Sequence, residues 1–551
     1  MEPIFLPKFF TVIKKGYTRK QFLNDLMSGT IVGVVALPLA IAFAIASGVG
    51  PEKGLITAII AGFLISFLGG SRVQIGGPTG AFVLIVVSII GAYGIDGLIV
   101  STIMAGIIMI LFGILRLGTI IRFIPYPLTV GFTSGIALLI FITQIKDFFG
   151  LNIDELPADF TGKMSILSVS FGKLNWWALV IGILCIIITV YWNKISKRFP
   201  GSLVALILSV LITLIFNVEV ETIGSKFGEI SASIPKPSLP SINWDLIVKH
   251  ITPAFTIALL GSIESLLSAI VADGMIGGRH RSNTELIAQG IANIGSGLFG
   301  GIPATGAIAR TATNVKNGGR SPIAGIVHAF VLLIIMLFAG KLAKYIPLCA
   351  LAGILMVVAF NMSGWHSFIT ILKGSKYDAL VLLTTFILTV VVDLTVAIQV
   401  GIVLAAMLFM KRMADVSEVK QLVSYTKGGK EDPEILNIDL PDIVEVFEIS
   451  GPMFFGVANK FKDIMDDFGD KSEIIIIRMR NVPLVDATGI HNFRAMLTYL
   501  KNKNKKIVLS GVNKDVLNEL TNNGIGTLVG EKNIFPIFDE AVDYVRKIVE
   551  K

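Results

Sequence analysis

Charged side chains are scarce in this chain, and over most of its length they are confined to short connections. Only 16% of the 551 residues are Asp, Glu, Lys or Arg, whereas 53% are hydrophobic. This balance excludes an ordinary soluble protein. Residues 22–413 consist mostly of apolar runs long enough to cross a bilayer, whereas residues 414–551 have a mixed, soluble character. The sequence therefore predicts one membrane domain followed by one soluble domain.

Cysteine and histidine are also rare, which argues against several kinds of site. The two cysteines, Cys185 and Cys349, both lie in apolar runs, so neither a disulfide framework nor a thiolate metal site is indicated. The histidines are scattered and have no metal-binding spacing; they are His250, His280, His328, His366 and His491. No nucleophile–base arrangement is visible. We therefore expect no metal, no cofactor and no enzymatic activity.

The net charge of +8 follows membrane topology and does not suggest nucleic acid as a partner. Residues 1–21 are basic and amphipathic but lack a small-residue cleavage site, which predicts a cytoplasmic N-terminal segment and not a signal peptide. Further basic residues recur in every second connection between the apolar runs. These residues are Arg72, Arg116, Arg122, Lys194, Lys197, Arg198, Arg279, Arg281, Lys316, Arg320, Lys373 and Lys376. The pattern places both termini in the cytoplasm.

The apolar runs predict an α-helical polytopic membrane protein with fourteen spans. The predicted spans are 28–46, 53–70, 78–91, 97–115, 126–145, 176–193, 200–216, 252–272, 284–300, 304–316, 322–340, 346–362, 377–393 and 396–413. The third and the tenth are short, as expected of half-spans that extended chain completes. Because fourteen divides into seven plus seven, the two halves are expected to be inverted repeats, a plan typical of alternating-access carriers.

A matched pair of Gly/Pro breaks marks the two short spans. Residues 76–82 read GGPTGAF and residues 301–308 read GIPATGAI, so the tripeptide Thr-Gly-Ala occurs in both. Such a pair is the best sequence indicator of a transporter site. A helix that begins inside the membrane presents free N–H groups and the positive end of its dipole, so two facing starts would hold an anion. The alternative is that these small residues only let helices pack tightly.

The C-terminal part alternates strand-like and helix-like patterns. Residues 443–449, 473–479 and 507–510 are rich in branched apolar side chains and are predicted strands. Residues 458–468, 489–501 and 516–523 are predicted helices. The alternation predicts a small α/β sheet, with Asp486 as an N-cap. We place domain boundaries at residues 1–21, 22–413, 414–435 (a linker) and 436–551.

Taken together, these features resemble the SulP family of anion transporters, called solute carrier family 26 in vertebrates. The resemblance is carried by residues 36–44 (ALPLAIAFA), 261–268 (GSIESLLS), 271–274 (VADG) and 302–311 (IPATGAIART). The soluble part resembles a STAS domain, with residues 486–489 (DATG) in place of the usual Asp-Ser-Ser-Gly loop. Ala487 stands where related regulators carry a phosphorylated hydroxyl, so that switch is expected to be lost.

The resemblance implies a core (spans 1–4 and 8–11) and a gate (spans 5–7 and 12–14), with the substrate between them at the facing half-helices. It also implies a homodimer whose core moves against its gate, in a prokaryotic plasma membrane. The expected anion-binding groups lie at the two helix starts, beside an apolar wall from Phe43 and a basic side chain from Arg310. At the starts they are Thr79, Gly80, Ala81, Gly306, Ala307, Ile308 and Ala309. Ordinary packing for Phe43 and snorkelling for Arg310 remain alternatives.

Glu264 is the candidate for proton coupling, with Ser268 one turn further on. A carboxylate in the middle of a span is costly, which favours the neutral acid and suits coupling of a proton to an anion. Sodium-coupled relatives place an acid, a hydroxyl and a threonine at this site, but Ile308 stands at the third position, so sodium is less favoured. A structural acid bonded to neighbouring helices is the alternative.

The sequence predicts a secondary active transporter of a small anion, sulfate or a related ion, that is coupled to protons by an elevator-like motion. A bicarbonate or dicarboxylate carrier with sodium or exchange coupling remains open. So do a nucleobase permease, a passive anion channel and a membrane-anchored regulator that acts through its STAS domain.

Overall fold

The computed structural model describes most of the chain, and all structural statements refer to that part. The described residues are 5–121, 124–153, 156–157, 159–195, 200–228, 233, 235–240, 244–392, 394–416, 418–423, 440–441, 443–454 and 472–550. They belong to two compact units, Met1–Val403 and Leu404–Lys551. The predicted helix 458–468 and much of the predicted linker 414–435 lie outside the described residues.

The first unit is built from helices, and the last of them continues into the second unit. In chain order they are α1 (Lys8–Lys14), α2 (Arg19–Ala46), α3 (Pro51–Leu68), α4 (Gly80–Ile114), α5 (Gly118–Ile121), α6 (Tyr126–Phe148), α7 (Phe160–Ser170), α8 (Trp176–Ile195), α9 (Gly201–Ile215), α10 (Ile223–Phe227), α11 (Trp244–Ile276), α12 (Ser282–Leu298), α13 (Ile308–Lys316), α14 (Ile323–Ala339), α15 (Leu348–Met362), α16 (Trp365–Leu372), α17 (Lys376–Val391) and α18 (Leu394–Val416). Two short strands, β1 (Gly76–Gly77) and β2 (Thr305–Gly306), precede α4 and α13.

Within the described residues, eight helical segments are long and apolar enough to cross a membrane. The chain is therefore a multi-pass helical membrane protein, as predicted. Helix is present in each of the fourteen predicted spans, but the count of fourteen crossings remains a prediction. The third and fourth predicted spans correspond to two helical stretches of α4 that meet at a kink at Gly94, where φ is 70°. That left-handed conformation is readily adopted by glycine, which lacks a Cβ atom.

A pair of facing glycines allows α4 and α12 to cross closely. A Cβ atom on Gly106 would lie 2.5 Å from the carbonyl oxygen of Gly290, and one on Gly290 would clash in turn with the carbonyl oxygen of Gly106. In a membrane, where lipid tails are as apolar as side chains, such close backbone approach is a main source of helix association.

We expect Gly106→Ala to destabilise the membrane unit by about 1–3 kcal/mol, because the added methyl group forces two packed backbones apart. Thermal unfolding of the purified protein in detergent would measure this as a lower midpoint. Gly91→Ala, on the helical stretch of α4 before Gly94, is the control, since a Cβ atom there meets nothing within 4 Å. Equal midpoints for the two variants would contradict the close crossing.

Two buried carboxylates accept hydrogen bonds from backbone N–H groups in the connections between helices. Asp25, at the start of α2, accepts hydrogen bonds from the backbone N–H groups of residues 320–321 at 2.7 and 3.2 Å. Glu285, in the first turn of α12, accepts from the N–H groups of residues 70–71 at 2.8 and 3.0 Å. Both carboxylates are almost completely buried. Each carboxylate therefore satisfies backbone N–H groups of a connection. Removing the carboxylate would leave those N–H groups without a hydrogen-bond partner.

The second unit is a five-stranded sheet covered by helices on both faces. Its elements are β3 (Glu418–Val423), β4 (Val444–Ser450), β5 (Ile474–Asn481), α19 (Ala487–Asn502), β6 (Lys506–Ser510), α20 (Lys514–Asn522), α21 (Ile525–Val529), β7 (Ile534–Phe535) and α22 (Phe538–Val549). The strand order is β3-β4-β5-β6-β7, with the first pair antiparallel and the rest parallel. α19, α20 and α21 pack on one face, and α22 packs on the other.

The α/β prediction for this unit is confirmed, as is the cap: Asp486 accepts from the N–H group of Gly489 at 2.6 Å and precedes α19. β3 is an addition. It lies in the segment that the sequence analysis treats as a linker, so regular structure extends into residues 414–435 from the end of α18 onward.

Candidate functional site

Two helices of the membrane unit start at the same small β-ladder. β1 pairs antiparallel with β2, with Gly76 opposite Gly306 and Gly77 opposite Thr305. Because the strands are antiparallel, the helices that follow them, α4 and α13, run away from the ladder in opposite directions. Their N-terminal ends therefore converge on it, and the positive ends of both helix dipoles meet there.

Hydroxyl groups hold the ladder against α11. The Oγ1 atom of Thr305 lies 2.6 Å from Ser265 Oγ and donates to the carbonyl of Gly261 at 2.9 Å. The Gly306 N–H group donates to Ser265 Oγ at 3.2 Å, and all these atoms are buried. The sequence analysis does not single out Ser265 or Thr305, although both lie within the quoted motifs. Their hydrogen bonds fix the ladder, and with it the two helix starts, against α11.

The start of α4 lacks the side-chain cap that a threonine usually provides. Thr79 is its N-cap residue, with extended backbone and no hydrogen bond from its side chain to the helix N–H groups. An N-cap threonine ordinarily satisfies such an amide. Here the Thr79 hydroxyl is turned to another helix and donates to Glu264 Oε2 at 3.2 Å. The Thr79 side chain therefore does not cap the first N–H groups of α4, those of Gly80 and Ala81, and both residues are buried. That these groups bind an anion stays a prediction.

Phe43 forms part of the wall beside this start. A Cβ atom on Gly80 would lie 3.3 Å from Phe43 Cε1, 3.2 Å from Ile140 Cδ1 and 3.4 Å from Met362 Sδ. The three side chains come from α2, α6 and α15, so Gly80 lies where separate helices meet. Phe43 is 6% exposed and packs in a hydrophobic cluster, so its packing is observed, and its role as a wall of the anion site stays a prediction.

At the second start, Ala307 is the N-cap of α13, and its N–H group donates to the carbonyl of Ile75 at 2.8 Å. The next two residues, Ile308 and Ala309, are exposed. Gly306 belongs to the ladder and contributes to its geometry. The structure thus brings the predicted residues of both helix starts to one region.

Arg310 links the two starts. Its side chain is 3% exposed, and its Nη2 atom donates to the carbonyl of Pro78, the residue between β1 and Thr79. Its Nη1 atom is buried and has no hydrogen-bond partner in the described structure. A Cβ atom on Gly77, where φ is 148°, would lie 2.6 Å from Nη1. The guanidinium group therefore lies at the ladder, which does not fit a side chain that snorkels to the interface.

Glu264 and Ser268 have different partners, although they are one turn apart on α11. Glu264 accepts from Thr79, and no ion pair joins it to a basic side chain among the described residues. Ser268 is fully buried and donates to Thr311 Oγ1 at 3.3 Å. The Thr311 hydroxyl also accepts from the N–H group of Ile75. Ser268 thus contacts α13, whereas the hydroxyl in contact with Glu264 is that of Thr79.

A cavity of about 950 Å³ lies along the later turns of α13. Its lining residues come from α2, α6, α8, α9, α13 and α15 and from the residues next to them; they include Val35, Phe141, Thr189, Ser202, Thr313, Lys316, Phe360 and Asn361. Lys316 is the charged side chain among the lining residues that the structure describes.

Comparison with known proteins agrees with this architecture. The sequence profile of the sulfate permease family matches residues 22–385, and that of the STAS domain matches residues 437–541. The "Putative sulfate transporter YvdB" of Bacillus subtilis (strain 168) is 40% identical over 96% of this chain and 98% of that protein. The "Bicarbonate transporter BicA" of Picosynechococcus sp. (strain ATCC 27264 / PCC 7002 / PR-6) is 32% identical over 89% of each chain.

Solved structures show the same fold. The transmembrane domain of a cyanobacterial bicarbonate transporter BicA matches 71% of this chain and 98% of its own length, with 32% identity and a TM-score of 0.63. The overall structure of SLC26A9 matches 98% of this chain and 93% of its own, with 17% identity and a TM-score of 0.85. This chain belongs to the sulfate permease (SulP, solute carrier family 26) family, whose members are anion transporters and not enzymes, and it carries a C-terminal STAS domain.

Proposed function

We propose that this protein is a secondary active transporter that binds a small anion at the two opposed helix starts. The observation that carries the proposal is the meeting of α4 and α13 at one ladder, where the Arg310 guanidinium of α13 bonds to Pro78, just before α4. A large cavity lies along the later turns of α13. Free amides, two dipole ends and one buried cation favour negative charge at the same place. No described carboxylate other than Glu264 is bonded to the residues of these starts.

Sulfate is the substrate that we favour, and bicarbonate is the second candidate. YvdB, whose printed name is that of a sulfate transporter, is 40% identical to this chain, whereas the BicA bicarbonate transporter is 32% identical. Backbone amides attract charge without reading much shape, so the site geometry accommodates either anion. A dicarboxylate remains compatible with the same amides.

Proton coupling is supported by the contact between Thr79 and Glu264. When Glu264 is ionised, it engages the Thr79 hydroxyl and places negative charge next to the start of α4, which opposes anion binding. Protonation removes that charge and allows the acid to donate a hydrogen bond, which frees the Thr79 hydroxyl to turn towards the anion. Binding of the proton and of the anion are then mutually favourable, as symport requires. Sodium is less favoured, because Ile308 offers no side-chain oxygen.

The cavity supports a motion of a core against a gate. It lies between α2 and α13, which belong to the proposed core, and α6, α8, α9 and α15, which belong to the proposed gate. Pro200, Lys316 and Asn317, which lie in or beside connections predicted to be cytoplasmic, also line it. We therefore assign an inward-open state, with both termini in the cytoplasm of a prokaryotic plasma membrane. A homodimer is part of the same proposal.

Uptake of radiolabelled sulfate by the purified protein in proteoliposomes tests the function. With the external side acidified, sulfate is expected to accumulate above its external concentration, and unlabelled bicarbonate, fumarate and chloride rank as competitors by their inhibition. Competition by bicarbonate alone would reassign the substrate. Competition by uracil alone would indicate a nucleobase permease, and uptake that never exceeds equilibrium would indicate a channel.

Thr79→Val is expected to lower transport by about tenfold at subsaturating sulfate. The variant keeps the shape of the side chain but removes the hydroxyl that serves both Glu264 and the anion, and a hydrogen bond to a charged group contributes about 1.5–3 kcal/mol. Thr79→Ser retains the hydroxyl and is the matched control, with transport within about twofold of wild type. Equal activity of the valine and serine variants would remove the Thr79 hydroxyl from the mechanism.

A further inference from the structure

The N-terminal segment, residues 5–23, is fixed to the cytoplasmic connections of the membrane unit by hydrogen bonds. The Lys8 N–H group donates to the carbonyl of Gly69 at 2.9 Å, just beyond the end of α3. Arg281, which precedes α12, donates from Nη1 to the carbonyl of Leu6 at 2.7 Å and to Thr11 Oγ1 at 3.0 Å. The segment therefore has a defined position and is held by α3 and the start of α12.

Its second anchor is a half-buried phenol. The Tyr17 hydroxyl donates to Asp25 Oδ2 at 2.6 Å. Burial, together with the hydrogen bond to Asp25, raises the pKa of Tyr17 well above its usual range, so the phenol stays a neutral donor. Hydrogen bonds thus hold the segment to the membrane unit at residues 6–11 and again at Tyr17.

A column of aromatic rings shows which surface the segment follows. Phe330 on α14 is 53% exposed in a helix that is apolar enough to span the membrane, so its outer face meets lipid. Its ring lies 6.2 Å from that of Phe63, which stacks on Phe67 at 5.7 Å. Phe67 in turn contacts Phe9 at 4.9 Å and Phe10 at 5.7 Å. α1 therefore lies at the lipid-facing perimeter, beside the end of α3.

The charge of the segment has one sign. Residues 5–24 contain five basic side chains and no acidic one. Four of the basic residues are exposed, namely Lys14, Lys15, Arg19 and Lys20, and exposed apolar side chains lie among them, namely Phe10, Ile13, Phe22 and Leu23. This combination is typical of a segment that lies in the membrane interface. Its apolar side chains reach the boundary of the acyl chains, and its lysines and arginines lie at the level of the headgroups, where they favour anionic lipid.

We propose that residues 5–23 form a binding surface for anionic phospholipid headgroups at the cytoplasmic face of the bilayer. The exposed apolar side chains enter the boundary between headgroups and acyl chains, and the four exposed cations attract phosphate-bearing lipids that carry net negative charge. Because the segment is bonded to α3 and to the start of α12, the bound lipids form an annulus next to those helices.

Lipid-specific fluorescence quenching of the full-length protein tests this surface. An environment-sensitive fluorophore is attached to Ile13→Cys in nanodiscs that contain equal mole fractions of spin-labelled phosphatidylglycerol or spin-labelled phosphatidylcholine. Wild type without the added cysteine controls for labelling, since Cys185 and Cys349 are buried. Quenching by phosphatidylglycerol is expected to exceed that by phosphatidylcholine about twofold or more, because anionic lipid is enriched near the cations.

Removing the basic side chains of the segment then distinguishes a preference for anionic lipid from mere closeness to the bilayer. The combined variant Lys14→Gln, Lys15→Gln, Lys20→Gln is expected to equalise the two lipids while quenching persists. The matched control removes three exposed lysines of the soluble unit, Lys514, Lys532 and Lys547, and retains the preference. Equal quenching by both lipids in wild type would overturn the proposal. Absence of quenching by either lipid would do so too, and would show that protein covers the segment.

Discussion

Replacing Arg310 with Gln is expected to raise the sulfate concentration for half-maximal transport by about tenfold to a hundredfold, with little loss of folded protein. Arg310 is the buried cation at the meeting point of the two helix starts, and its Nη1 atom has no partner among the described residues. Loss of one partner of a buried charged contact typically costs about 2 kcal/mol of binding free energy or more. A cost of about 2 kcal/mol corresponds to about a thirtyfold loss of affinity, since a tenfold ratio is about 1.4 kcal/mol. Isotope uptake at graded sulfate concentrations measures the change.

Two further variants distinguish the charge of Arg310 from its bond to Pro78. Arg310→Lys keeps the positive charge but loses the planar fork that reaches the Pro78 carbonyl, so its half-saturation should fall between those of wild type and the glutamine variant. Arg320→Gln, beyond the end of α13, removes an exposed cation and should leave sulfate affinity unchanged. If both Arg310 variants retained wild-type affinity but lost folded yield, the residue would be a brace and not part of the anion site.

The meeting of the two helix starts could be predicted from the sequence because both halves carry the same interruption. Residues 76–82 and 301–308 each end an extended segment and begin a helix, and the structure places both beside one ladder. Helical spacing also placed Glu264 and Ser268 on one face of α11. It could not say which neighbours that face meets. Thr79 is 185 positions from Glu264 in the chain, and such a contact depends on how two helices pack.

Three other features were beyond sequence reasoning for identifiable reasons. The cavity beside α13 is formed by the relative placement of six helices, which no local pattern encodes. β3 is a short edge strand whose pairing with β4 decides its structure, so its own residues did not distinguish it from a linker. The partner of Arg310 is a backbone carbonyl, which has no side-chain signature in a sequence.

Glu264→Gln is expected to abolish uphill transport while sparing exchange. The amide mimics the protonated acid, so anion can still bind at the start of α4, but no proton can be gained or released. With an external pH one unit lower and the membrane potential clamped at zero, coupling of one proton per anion supports about tenfold accumulation, since a tenfold concentration ratio corresponds to about 1.4 kcal/mol. The variant should reach a ratio of about one, whatever pH gradient is imposed.

Counterflow measures sulfate exchange, the activity that Glu264→Gln is expected to retain. Vesicles preloaded with unlabelled sulfate should take up labelled sulfate through Glu264→Gln at rates near those of wild type, because exchange needs no net proton movement. Glu285→Gln is the matched control: its carboxylate is fully buried and bonded to loop amides, and a glutamine oxygen can still accept from them. This control should retain pH-driven accumulation. If Glu264→Gln also accumulated sulfate in response to the pH gradient, the proton would have to be carried elsewhere, and the contact between Glu264 and Thr79 would be structural.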